Sequence, residues 1–239
     1  MQILIDKTPY SIPFDLHNIS IGDYIRYHTE YGRDLDKELD AIVANDYLKL
    51  FNGDEDEASI NRQIDLDNHL DKEALCWVSF WCKIELWQTM EHKGIQDLLY
   101  AYRVMRFQLK DQEEKIKELP LDFEWEGQQW VIDDFVVDPS SGMSFNEIIT
   151  SKEAIRQLTS LGKGKWDAMP YLCSIFLRKK DEAFQDEFIR EGSERLTLMQ
   201  QLPMDHALTV GFFLNTCVSI WKKTFPFLGE VEEATPSQN

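Results

Sequence analysis

The chain has 239 residues, of which 43% are hydrophobic, enough to bury a sizeable core and too many for a globally disordered polymer. Its net charge is −18, and the excess of acids is shared by both halves: ten in residues 1–119 and eight in residues 120–239. A surface so evenly acidic repels phosphate backbones, which argues against sequence-specific nucleic-acid binding and favours protein partners with complementary patches. The only short basic candidates are Arg178-Lys179-Lys180 and Lys222-Lys223.

Residues 3–12 alternate, with Ile3 and Ile5 before Lys7-Thr8-Pro9 and Tyr10 and Ile12 after it. The pattern predicts a β-hairpin with one apolar face. Ser20, followed three residues later by Asp23, predicts a helix start, and Gly32 is placed to end that helix. A second helix is expected over 34–51 on the stripe Leu35, Leu39, Ile42, Val43 and Leu50. Asn52–Glu57 reads as an acidic loop, and a long buried helix follows over 71–91 with Trp77, Trp81 and Trp87. After Gly94 a helix over about 95–118 begins apolar, with Leu98, Leu99, Tyr102 and Met105, and ends charged before Pro120.

The opening pattern then returns at an offset of 120: Ile3, Ile5, Tyr10 and Ile12 face Phe123, Trp125, Trp130 and Ile132. Four residues are added near Asp138–Ser141, after which Ser144-Phe145-Asn146-Glu147 forms a capping box opposite Ser20–Asp23. Later helices are expected over 145–160, 166–180, 182–200 and 204–224. The expectation is an α+β, predominantly helical protein of two similar halves, each opening with a hairpin. The halves span 1–119 and 120–228, with a polar tail at 229–239.

No catalytic constellation emerges. Gly162-Lys163-Gly164-Lys165-Trp166 lacks the Walker spacing and the Ser or Thr after Lys, and reads as a helix–helix connector. Asp65, Asp67, His69, Asp71 and Glu73 alternate as in a calcium loop, yet Leu70 stands where the turning glycine belongs; Asp67 or Asn68 as a helix cap explains the acids more simply. The five histidines are scattered without zinc spacing, and no nucleophile elbow is present. The four cysteines form no CxxC pair and lie in apolar stretches, as buried reduced thiols do. The start lacks a secretory leader pattern, and no apolar run reaches membrane-spanning length. No catalytic, metal or cofactor-binding residue is therefore assigned. The candidate partner contacts are Trp125 and Trp130 on the second hairpin and Tyr10 on the first, because hairpin edges lie open and aromatics dominate interface hot spots.

The phrase ISIGDYIRYHTEYGRDLDKEL after the first hairpin resembles small acidic proteins encoded among the tail and neck genes of tailed bacteriophages. Glu194–Leu214, ERLTLMQQLPMDHALTVGFFL, is similar to the C-terminal helices of such proteins. The resemblance implies a non-enzymatic structural component of the virion tail or neck that contacts other phage structural proteins, including copies of itself in a ring. Such a protein is made in the host cytoplasm and carried into the virion, without a membrane partner. The alternatives are a tail assembly chaperone absent from the mature particle and an enzyme with a dispersed site.

Overall fold

The computed structural model describes residues 2–5, 7–85, 94–116, 121–132, 145–180 and 182–224. The fold is α+β and predominantly helical, with two small antiparallel sheets. The chain divides into two compact units, Met1–Gln112 and Glu113–Asn239. Trp87 and the 229–239 tail lie outside the described residues.

The first unit opens with strands β1 (Gln2–Ile5) and β2 (Thr8–Ser11), paired so that Ile3 faces Tyr10 and Ile5 faces Thr8. Ile3, Ile5 and Ile12 are buried, and Tyr10 is half-buried. Helix α1 (Ile21–Tyr27) starts where the sequence places it: the Ser20 hydroxyl oxygen accepts from the Asp23 N–H at 3.0 Å and donates to the Asp23 carboxylate at 2.8 Å.

Gly32 does not end this helix. The chain passes through a π-helical turn, His28–Gly32, into α2 (Arg33–Ala44), and Gly32 keeps right-handed helical angles. Its glycine identity answers a steric need, since a Cβ there would lie 2.7 Å from Cδ2 of the buried His28 ring. That ring is held at 3.0 Å from the Asp36 carboxylate and stacks on Tyr24.

The helix expected over 34–51 breaks at Asn45-Asp46, leaving the short α3 (Tyr47–Leu50). Val43 and Leu50, expected in the apolar stripe, are exposed, while Tyr47 is buried and donates its hydroxyl to Asp65 at 2.6 Å. The long helix begins much earlier than its apolar stretch. Helix α4 runs Glu55–Cys82, capped by the Asp54 side chain on the Glu57 N–H. Glu55, Asp56 and Glu57, read as loop, form its first turn, where the helix dipole favours carboxylates. Asp67 and Asn68 therefore lie mid-helix and cap nothing. The alternating acids fan around the helix instead of converging as calcium ligands: Asp71 pairs with Arg103 at 2.8 Å and Glu73 with Arg106 at 3.1 Å.

Helix α5 (Ile95–Ile116) buries Leu98, Leu99, Tyr102 and Met105. Trp77, Val78, Leu98, Tyr102 and Met105 close around Ile3 and Ile12, so the hairpin's apolar face is sealed by α4 and α5. An aromatic wedge joins α1 to α4: Tyr27 meets Trp77 edge-on at 4.8 Å and Phe80 at 5.6 Å, and Phe80 meets Trp81 at 5.1 Å. The tryptophans of this helix are core residues in that sense, Trp77 fully and Trp81 in part.

The second unit opens with β3 (Asp122–Trp125) and β4 (Gln128–Ile132). Their register, Phe123 to Trp130 and Trp125 to Gln128, is that of the first hairpin shifted by 120. Glu126 and Gly127 both have positive φ, 52° and 67°, the turn whose twist suits a two-residue hairpin loop. Lys7 takes the place of Gly127 in the first hairpin with φ 68°. Helix α6 (Phe145–Ser160) starts opposite Ile21 once the four added residues are counted, but the second sheet gains a third strand that the first sheet lacks. The helix expected over 166–180 ends at Phe176, as α7 (Met169–Phe176), and Leu177–Lys179 forms β5 beside β4. The helix expected over 182–200 is likewise shorter: a 3-10 turn at Asp186–Ile189, then α8 (Glu194–Gln200) capped by Ser193. Helices α6 (Phe145–Ser160) and α9 (Met204–Thr224) match expectation. The Gly162–Lys165 segment connects α6 to α7, with Gly162 at φ 71° and the Gly164 N–H donating to Asp167 at 2.8 Å.

Gly32→Ala should lower the melting temperature even though alanine is the better helix former, because forcing a methyl against a pinned buried ring costs about 1–3 kcal/mol. Adding His28→Ala should recover part of that loss in the double variant, as measured by thermal melts.

Candidate functional site: a tryptophan–arginine cluster in the second unit

Trp130 sits on β4, one face of which must be covered because a two-stranded hairpin is marginal in water. The structure covers it from within its own unit. Trp130 is 0% exposed, so the expectation of an open or inter-subunit position for it is corrected. Its indole N–H donates to the Trp125 carbonyl at 3.0 Å, and the two rings lie 5.6 Å apart. Trp125 is half-buried beside it, and Tyr10 lies half-buried on the other unit's hairpin. The structure thus brings together two of the three candidate contacts.

The cover is cationic. The Arg195 guanidinium, carried by α8, lies 4.5 Å from the centre of the Trp130 ring and 4.8 Å from that of Phe188. Its Nη2 donates to the Leu177 carbonyl at 2.5 Å and pairs with Glu182 at 3.0 Å. Burial pulls this guanidinium below the ordinary arginine value, and the Glu182 carboxylate opposes that shift. Glu182 also accepts from the Lys179 backbone N–H at 3.1 Å, so one carboxylate ties β5 to α8.

Next to it lies a second buried pair, Arg178 on β5 with Glu147 on α6. Both side chains are more than nine-tenths buried. One sequence reading is corrected by it: Arg178 is no part of an exposed basic patch. The Glu147 carboxylate reaches β5. Ser144, its expected capping partner, lies outside the described residues. His206 stacks flat on Phe123 with centroids 3.8 Å apart.

Beside Arg195 opens a cleft of about 430 Å³, walled by Lys179, Glu182, Glu187, Phe188, Glu194 and Leu198. Its size falls in the range of small-molecule sites. Three of its charges, however, are engaged: Arg195 with Glu182, and Glu187 with Arg190 at 2.7 Å. Cys173, whose thiol feels the Arg195 charge, is wholly buried, and burial pushes it up to about 12, which keeps it protonated and poorly nucleophilic.

Sequence reasoning named Trp130 but missed Arg195, Glu182 and Phe188. The available signal was Arg195 standing next to Leu196, on a helix whose Leu196 and Met199 are buried. Comparison of the chain with family models, curated proteins and solved structures finds no match.

Trp130→Ala should cost about 3–5 kcal/mol of stability, read as a lowered melting temperature of the isolated chain, because it empties a fully enclosed site and strips Arg195 of its ring. An alkaline limit follows from the thiols. Burial raises Cys76 and Cys82 to about 11 and Cys173 to about 12 from the ordinary 9.0. The folded chain keeps protons that the unfolded chain releases, so this contribution is whole below about pH 9 and drains away as pH rises through 11 to 12. Urea melts at stepped pH should show the fall, and Cys173→Ala should flatten its upper part.

Proposed function

We propose that the chain is a non-enzymatic structural component of a tailed-phage virion, in the tail or neck, that works by protein–protein contact. The observation that carries the contact reading is apolar surface at helical-neighbour spacing on a strongly acidic chain. Ile60 and Ile64 on α4 are 60% and 50% exposed, and Tyr100, Val104 and Phe107 lie outward on α5. Exposed apolar groups that fall on one stripe mark interaction sites, whereas singly scattered ones do not. The phage assignment rests on the resemblance of Ile19–Leu39 and Glu194–Leu214 to tail and neck proteins. Trp130 has no place in the contact, since its own unit encloses it; Trp125 and Tyr10, each half-buried, remain available.

An assembly chaperone is the second reading, favoured by the same pairing of apolar stripes with a charge of −18, which suits a protein that shields a sticky partner and stays in solution. Quantitative mass spectrometry of purified particles separates the two. A virion component should be present in fixed ratio to the other structural proteins after washing in high salt. A chaperone should be abundant in the infected lysate and missing from the particle.

A further inference from the structure

Six polar or charged side chains wall the cleft of about 430 Å³ in the second unit, and their partners divide them sharply. Glu182 is answered by Arg195 at 3.0 Å and Glu187 by Arg190 at 2.7 Å. The Ser193 hydroxyl is occupied as well, donating to the Phe188 carbonyl and accepting from the Leu196 N–H, both at 3.1 Å. One charge of each sign is left. Among the described residues no carboxylate pairs with the Lys179 ammonium, which stands 5.7 Å from the centre of the Trp130 ring, and no cation pairs with the Glu194 carboxylate. Arg195 adds a donor: its Nη2 serves both Leu177 and Glu182, while its Nη1 has no acceptor among the described residues. Phe188 and Leu198, both half-buried, complete the wall with apolar surface.

We infer that this cleft is a binding site for a small zwitterion of the amino-acid class. The ligand's carboxylate is met by Lys179 and the free Nη1 of Arg195, its ammonium by Glu194, and its short apolar body by Phe188 and Leu198. The charges select that class. A purely anionic ligand meets three wall carboxylates, and a purely cationic one meets Lys179 and Arg195. A ligand with both signs sets each against its opposite, and the volume suits a molecule of that size. Part of the wall is fixed in advance. Arg195 is held 4.5 Å from the Trp130 ring and 4.8 Å from that of Phe188 while Leu177 and Glu182 take its Nη2, so binding need not order it. The site lies in the second unit and goes beyond the contact reading, which rests on α4 and α5 of the first.

The test is isothermal titration of the full chain with two zwitterions, L-leucine and 6-aminohexanoate, whose charges stand at different separations. At least one should bind saturably with a Kd of about 1 mM or lower. Removing either charge of that ligand, as its N-acetyl derivative or its carboxamide, should weaken binding about tenfold or more. Glu194→Gln should erase the difference between the parent ligand and its N-acetyl derivative while keeping the discrimination against the carboxamide. Lys179→Met should do the reverse. The derivatives act on the unmodified chain, so the test stands even if Lys179→Met, which takes a cation from beside Trp130, melts early. Amide exchange gives a second readout: the bound ligand should slow exchange over residues 182–198. Failure of both zwitterions to bind, equal binding of the derivatives, unchanged preferences in Glu194→Gln, or protection confined to other segments would overturn the inference.

Discussion

A two-stranded hairpin with a tight loop has one apolar face and too few strands to protect it, and both units are organised around that need. In the first unit, purely apolar cover suffices: α4 and α5 close over Ile3 and Ile12 with Trp77, Val78, Leu98, Tyr102 and Met105. In the second, the larger side chains of the same positions, Phe123, Trp125 and Trp130, demand a broader lid. It is supplied by a third strand and by a guanidinium laid over Trp130. Burying a cation is costly unless its donors are met, and the carboxylate of Glu182 and the carbonyl of Leu177 meet two of them. Losing Glu182 would therefore disturb β5 and α8 together, because that one side chain also holds the Lys179 backbone.

Acids do different work in the two units. In the first they are mostly partly exposed partners along the α2–α4–α5 seams, Glu38 with Lys72, Asp71 with Arg103 and Glu73 with Arg106. Such pairs contribute little each and mainly fix which helix faces which. In the second unit Glu147 is enclosed with Arg178, where removing either partner strands a charge.

What was legible in the sequence was what short-range physics decides. Alternation gave both hairpins and their shared register, Ser20 announced α1, and α9 followed from its apolar content. Where the outcome depended on partners distant in the chain, local pattern misled. Leu177–Lys179 follows directly on a helix and was read as its continuation, yet pairing with β4 draws it into the sheet. The acidic run before α4 looked like loop because acids suit loops, but they equally suit a first helical turn. The candidate cluster was half legible for the same reason. An aromatic on a hairpin is visible from alternation, while the arginine that covers it stands 65 residues later and carries no mark of its fate. The outward stripe of α5 was within reach, since Tyr100, Val104 and Phe107 are correctly spaced, but the inward set at Leu98, Tyr102 and Met105 accounted for the helix and hid the second face.

The π-helical turn at His28–Gly32 changes how the first unit tolerates length variation. Such a turn holds one residue more than an α-helical turn would, and the helices on either side remain continuous through it. Deleting a residue there would tidy the hydrogen bonding and at the same time rotate all of α2 by about 100°. Leu35 would swing out of the core, and Glu38 would leave the reach of Lys72. The less regular backbone is therefore what keeps α1 and α2 in phase with α4, and an insertion or deletion between Tyr27 and Arg33 acts as a change of rotational setting, with consequences far larger than a change of one residue in a loop.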